Sequence, residues 1–175
     1  MTRRLPAVLA AVPLAAGLML TAPAARAAGA DVTCTGTETV AYQPGLLLTA
    51  RSVSGSVTGI LAPCGSTNPA ITAGNYQEDF TTTLSCSTLL AGRSGTRVFH
   101  WSDGQTSTFA FNRVINDAGG QTTVTFTGDV TAGEFAGDTV VEQVVFVTPS
   151  LLQCLAAPGL TSLGPGAVVL SISKL

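Results

Sequence analysis

Hydrophobic and polar positions alternate along most of the chain beyond residue 30. The pattern is clearest in residues 121–131, where Val124, Phe126 and Val130 alternate with threonines and an aspartate. Residues two apart lie on the same face of a strand, so this segment is predicted to bury one face and expose the other. We find no convincing stripe with the spacing of an amphipathic helix.

Turn-forming residues divide this pattern into separate predicted strands. They comprise residues 32–42, part of 46–61, 80–89, 97–101, 106–115, 121–131, 139–148 and 167–174. Gly55 and Gly59 indicate a weakened or bulged second strand. Residues 139–148 are apolar on both faces, which is typical of a central strand, and residues 150–155 are expected to form one helical turn.

A hairpin gives the strongest local signal in the sequence. Asp103 and Gly104 lie between two β-prone segments, and glycine supplies the positive φ that a tight hairpin turn requires. In a later glycine-rich turn, Phe135 is expected to close one end of the core.

These segments predict an all-β fold of seven to nine antiparallel strands with two disulfides. The turn spacing favours a β-sandwich, and a small closed β-barrel is the alternative. Neither an internal repeat nor a linker divides the sequence, so residues 28–175 are expected to form a single domain.

The first 27 residues have the features of a secretory signal peptide. Two arginines precede an apolar stretch, and a small-x-small sequence ends at Ala27. We expect cleavage after Ala27, with Ala24 and Ala30 as alternative sites. The apolar stretch is shorter than the ~20 residues that span a bilayer. The protein is therefore expected to be secreted and extracellular, without a membrane span.

The net charge of the chain limits which classes of partner it can bind. Beyond residue 27 the chain has five basic and ten acidic residues, which gives a net charge of −5. An acidic chain argues against a nucleic-acid partner. No phosphate-cradling loop or nucleotide motif is present, so no cofactor is expected. The protein is expected to be a monomer.

The four cysteines predict two disulfides. Cys34, Cys64, Cys86 and Cys154 are spaced too widely for the close pairs of a metal site. An even number in an exported chain indicates disulfides. Three pairings are open, and we favour a local Cys64–Cys86 bridge with a Cys34–Cys154 clasp between the ends.

Candidate catalytic groups are few. His100 is the single histidine. Ser102 and Asp103 are close to it in sequence but do not assemble a triad with it, because these two adjacent residues would point to opposite faces of a strand. Glu78 and Asp79 are interpreted as a solvated pair. The sequence therefore assigns no catalytic residue.

A further acidic set brackets the turn around Phe135. Its members are Asp129, Glu134, Asp138 and Glu142. Their oxygen ligands suit calcium, but the set lacks the dense spacing of calcium loops, so no metal ligand is assigned.

Trp101 is the best candidate for an exposed ligand contact, because it borders a turn, and His100 lies beside it. Tyr42 and Tyr76 could join Trp101 in a platform for sugar rings. The phenylalanines are expected to pack in the core, namely Phe80, Phe99, Phe109, Phe111, Phe126 and Phe146.

Five segments carry a resemblance to a group of exported proteins. The segments are CTGT from Cys34, YxPGL from Tyr42, WSDGQTST from Trp101, TGxVTxGxFxGD from Thr127 and CLxxPG from Cys154. Together they resemble small exported bacterial two-disulfide proteins with no assigned activity. The resemblance implies export and an all-β fold, and it implies no catalytic residue.

The sequence favours a non-enzymatic extracellular module, either binding or structural, with an unknown protein, glycan or small ligand as partner. Exposed loops on a rigid β frame commonly carry binding sites. One alternative is a small secreted hydrolase that uses His100 or a carboxylate pair. Another is an inhibitor of an extracellular protease that uses residues 91–96 or 63–69 as a rigid loop.

Overall fold

The structure, a computed structural model, describes residues 29–89 and 91–174. These residues form eight strands: β1 (Ala30–Leu46), β2 (Arg51–Ser66), β3 (Gly74–Leu84), β4 (Arg93–Trp101), β5 (Thr106–Ala118), β6 (Gln121–Gly133), β7 (Thr139–Val147) and β8 (Leu160–Ser173). Short 3₁₀ helices follow β3 at Cys86–Thr88 and β7 at Leu151–Leu155. The predicted signal peptide lies outside the described residues.

The strands form a closed antiparallel barrel. Each strand pairs with the next one along the chain, and β8 pairs with β1. The all-β prediction is confirmed, and the architecture is the barrel alternative, not the favoured sandwich. Inward and outward residues alternate in both architectures. The alternation therefore predicts which residues are buried, but not whether the sheet closes on itself.

Several strand predictions need correction, and β4 and β8 begin earlier than predicted, at Arg93 and Leu160. β3 begins at Gly74, and the residues after Leu84 turn into a 3₁₀ helix, because the Ser85 side chain accepts a hydrogen bond from the Thr88 amide. β7 is not a central strand with two buried faces: Val140 and Val144 point inward, whereas Val141 is 46% exposed on the outer face.

Gly55 and Gly59 make room for aromatic rings and do not mark bulges. The β2–β3 register is continuous through both glycines, which face Phe80 and Tyr76. A Cβ atom on either glycine would overlap the facing ring. These inward glycines therefore let bulky rings fit inside a narrow barrel.

Aromatic side chains fill one end of the barrel, which we call the packed end. Phe99 lies 5.9 Å from Phe109 and 5.5 Å from Trp101 between ring centroids. Phe135 meets Trp101 edge-on at 6.2 Å, as expected for a residue that closes the core. The predicted β4–β5 hairpin is confirmed, and Gly104 in its turn has a φ of 86°.

All four cysteines, which lie within the described residues, form disulfides. The favoured pairing is wrong: the bonds are Cys34–Cys64 and Cys86–Cys154. The β1–β2 hairpin places Cys34 directly opposite Cys64. The second bond joins the two 3₁₀ helices at the end of the barrel opposite the packed end, which we call the mouth end.

None of the helices in residues 29–89 and 91–174 is long and apolar enough to cross a membrane.

Candidate functional site: a cavity at the mouth end

A cavity of about 260 Å³ lies inside the barrel towards the mouth end. Mostly inward-facing residues of the strands line it, since side chains along a strand alternate between the interior and solvent. Most of its wall is apolar, and representative residues are Val40, Val57, Phe80, Ile115, Val124 and Phe146. The volume is slightly below the ~300–1,000 Å³ of typical small-molecule sites.

Connections between strands partly cover the mouth end. Leu89, after β3, and Pro149, after β7, line the cavity. The Cys86–Cys154 disulfide ties these two connections together. The β1–β2 connection joins them through hydrogen bonds from the Cys86 amide to the Leu47 carbonyl (2.9 Å) and from the Leu48 amide to the Cys154 carbonyl (3.1 Å).

The barrel wall is weakest between β3 and β4. In the described residues their pairing consists of Gly74 with Trp101 and Asn75 with His100. Beyond these pairs towards the mouth end, Glu78 of β3 and residues 93–97 of β4 line the cavity. Side chains, not a continuous hydrogen-bonded ladder, therefore form this side of the cavity.

A buried arginine forms the inner end of the cavity. The Arg97 guanidinium is paired with three carboxylates: it contacts Glu78, lies 2.5 Å from Glu142 and lies 3.3 Å from Glu38. It also lies 4.0 Å above the Tyr76 ring, and the Tyr76 hydroxyl donates a 2.8 Å hydrogen bond to Glu38. A charge this deeply buried requires such partners.

Burial changes the ionisation of these carboxyl groups. Loss of hydration raises the pKa of Glu142 to about 7, although Arg97 opposes the shift. Burial likewise raises the pKa of Glu38. One Glu142 oxygen, Oε1, is buried without a hydrogen-bond partner among the described residues. Glu142 therefore titrates closer to neutral pH than an exposed glutamate does.

Two further arginines line the cavity nearer the mouth. Arg93 of β4 lies directly opposite Arg113 of β5 in the register of the two strands. Arg113 donates a 3.0 Å hydrogen bond from Nη2 to the Ala91 carbonyl. Its Nε atom is buried and has no hydrogen-bond partner in the described part of the chain.

The cavity does not contain the residues predicted to contact a ligand. Trp101 is 4% exposed in the packed end, where its indole Nε1 donates a 2.8 Å hydrogen bond to Ser107. It is therefore a core residue and not an exposed contact. His100 is exposed on the outer face of β4 and does not line the cavity.

The predicted aromatic platform does not form, because its members lie at different levels of the barrel. Tyr76 belongs to the Arg97 cluster, Tyr42 lines the cavity, and Trp101 lies in the packed end. The six phenylalanines predicted to be core residues do face the interior, and Phe80 and Phe111 are only partly buried beside the cavity.

The acidic candidates also separate. Glu78 faces Arg97 inside the barrel while Asp79 is exposed outside, so they are not a solvated pair. In the second acidic set, Glu142 is in the interior and Glu134 accepts a 3.0 Å hydrogen bond from Asn68. No group of potential metal ligands is found among the described residues.

Sequence reasoning missed the Arg97 cluster, although a signal for it was present. Glu38, Arg97 and Glu142 each occupy the inward phase of an alternating strand, two residues from buried Val40, Phe99 and Val144 respectively. Charged residues in an apolar phase indicate a buried polar site.

Comparisons with known proteins add no family to this description. No protein-family model matches the chain, and neither a curated protein nor a solved structure matches it significantly.

Proposed function

We propose that the protein is a secreted, non-enzymatic binding module that holds a small, largely apolar ligand inside its barrel. The observation that carries this proposal is the 260 Å³ cavity, which has apolar walls and a few charged groups. Small-molecule sites commonly combine apolar walls with a few polar groups that orient the ligand. Small closed barrels of eight strands can enclose one such ligand.

The arrangement of the barrel supports binding over a purely structural role. The packed end is filled with aromatic side chains, whereas the mouth end keeps internal space. Two disulfides and the buried Arg97 cluster favour a rigid frame, and a preorganised cavity loses less entropy on binding. Disulfides are also typical of exported proteins, which supports the proposed extracellular location.

The placement of His100 does not favour the alternative hydrolase. A catalytic histidine would need an acid and a nucleophile beside it in a concave site. His100 instead lies on the convex outer face of the barrel. The cavity therefore supports binding better than histidine-dependent hydrolysis.

Native mass spectrometry of protein collected from its producing cells tests this function, with and without added 1-octanol. We expect a ligand adduct on the native protein that disappears on denaturation. Val124→Phe should prevent it, because the larger side chain occupies the cavity that Val124 lines.

Val141→Phe is the matched control, since it makes the same change on the outer face. It should retain the adduct. An adduct that persists equally in Val124→Phe, or no adduct under either condition, would contradict binding inside the barrel.

A further inference from the structure

The cavity holds two arginines that lack acidic partners. Arg93 and Arg113 are cross-strand neighbours, and both line the cavity. Among the described residues, no carboxylate lies within salt-bridge distance of either one. Arg97, two inward-facing positions further along β4, has three such partners.

The two arginines carry like charges directly opposite each other in the β4–β5 register. Like charges directly opposite each other destabilise an antiparallel pair. Burial lowers the pKa of Arg113, and repulsion from Arg93 lowers it further. The buried Nε of Arg113 also lacks a hydrogen-bond acceptor in the described chain. An anion between the two guanidinium groups would relieve the repulsion and accept the free hydrogen bonds.

The carboxyl groups of the inner cluster do not replace that anion. Glu78 and Glu38 also line the cavity, but both contact Arg97 and Glu38 accepts a hydrogen bond from Tyr76. All three carboxyl groups of the cluster are instead paired with the Arg97 guanidinium. Arg93 and Arg113 are therefore the charged groups of the cavity lining that have no salt-bridge partner among the described residues.

The remaining walls define the rest of the ligand. Apolar side chains of Val57, Val124 and Phe146 continue from the arginine pair along the interior. The cavity volume of about 260 Å³ equals roughly nine times the ~30 Å³ that one water occupies in the liquid. A ligand of roughly ten non-hydrogen atoms would fill it.

We propose that the cavity binds a small amphiphilic carboxylate, with its anionic head between Arg93 and Arg113 and its apolar tail inside the barrel. This inference rests on the proposed binding function and identifies its ligand class. Arginine suits a carboxylate head because its planar guanidinium group can donate two parallel hydrogen bonds.

Isothermal titration calorimetry at pH 8 with octanoate, 1-octanol and octylammonium tests the proposal. The three probes share one tail and differ in the charge of the head. We expect octanoate to bind at least about tenfold more tightly than 1-octanol, since a hydrogen bond to a charged group contributes roughly ten- to a hundredfold in affinity. Added salt should weaken octanoate binding more than octanol binding.

Arg113→Gln and Arg93→Gln identify the residues involved. Each should weaken octanoate binding by about tenfold or more and change octanol binding by less than about threefold. Lys174→Gln makes the same charge change at a residue 74% exposed at the packed end, and should leave both probes unaffected. Arg93 is exposed, so Arg93→Gln tests the pair even if Arg113→Gln fails to fold.

The outcomes separate this inference from the proposed function. Octanol binding without a preference for octanoate would overturn the inference and leave the binding function intact. If octylammonium binds more tightly than octanoate and 1-octanol, the inference would also be overturned, because the acidic cluster around Arg97 would then be the recognition site. Failure of all three probes to bind would overturn both proposals.

Discussion

Arg97 is the residue on which the interior of the barrel is organised. It brings together carboxylates from three strands, Glu38 of β1, Glu78 of β3 and Glu142 of β7. It also lies between the rings of Tyr76 and Phe126, at 4.0 and 4.6 Å from their centroids. These contacts separate the packed end from the cavity, so the cluster acts as the floor of the proposed binding site.

The raised pKa of Glu142 predicts a pH-dependent stability. Its carboxyl group titrates near its ordinary value of 4.5 when unfolded and near 7 when folded. Between these values the folded protein binds more protons, so the free energy of unfolding falls as pH rises, by up to about 1.4 kcal/mol per pH unit from this group. Urea unfolding from pH 4 to pH 8 measures this slope.

Glu142→Gln should reduce that slope between pH 4.5 and 7, since glutamine keeps an oxygen for Arg97 but does not ionise. Glu38 and Glu78 still pair with Arg97 in this variant. An identical slope in the wild type and the variant would show that Glu142 is not the group responsible.

The close approach of Gly59 to the Tyr76 ring gives a second prediction for a single residue. Gly59→Ala should lower the free energy of unfolding by about 1–3 kcal/mol, because its Cβ would overlap the Tyr76 ring. Gly65→Ala in the same strand is the control, since its Cβ would meet Thr33 at an ordinary 3.6 Å. Equal effects in thermal unfolding would contradict this account.

At the scale of elements, the connections at the mouth end depend on one covalent bond. The Cys86–Cys154 disulfide links two 3₁₀ helices that are 68 residues apart in sequence. Cys34–Cys64 lies instead within the β1–β2 ladder. The two bonds therefore stabilise different parts of the molecule, and only Cys86–Cys154 organises residues around the cavity.

Removing each disulfide should distinguish these roles. The double variants Cys86→Ala with Cys154→Ala, and Cys34→Ala with Cys64→Ala, should each lose about 2–5 kcal/mol of stability in denaturant unfolding. Only the variant without Cys86–Cys154 should also weaken binding of 1-octanol, measured by calorimetry. Loss of that disulfide frees the connections that carry Leu89 and Pro149. Equal weakening in both variants would contradict a specific role for Cys86–Cys154.

The same elements explain how far the sequence could predict the fold. Alternation and turn residues located β6 and the β4–β5 hairpin well, because those signals depend on near neighbours. The start of β3 was missed because Gly74, Asn75 and Gln77 have low β-propensity, and pairing with β2 overrides it. The disulfides were mispaired because sequence spacing does not show which strands lie side by side.

At the scale of the whole molecule, closure of the sheet creates the site. A sandwich would bury the same alternating residues between two sheets. In the closed barrel those residues converge on one axis, where Glu38, Arg97 and Glu142 meet and space remains beyond them. No local pattern specifies this convergence, so the cavity could not be predicted from the sequence although its lining residues could be recognised as inward-facing.

Methyl NMR of the folded protein during titration with 1-octanol tests most directly whether the mouth-end cavity binds a small apolar ligand. We expect saturable shifts at Val40, Val57 and Val124, which line the cavity. The buried methyl groups of Ile71 and Ile172, which lie outside its lining, should remain nearly unchanged. Shifts confined to exposed residues such as Val141, or no saturable shift in the cavity, would contradict binding inside the barrel.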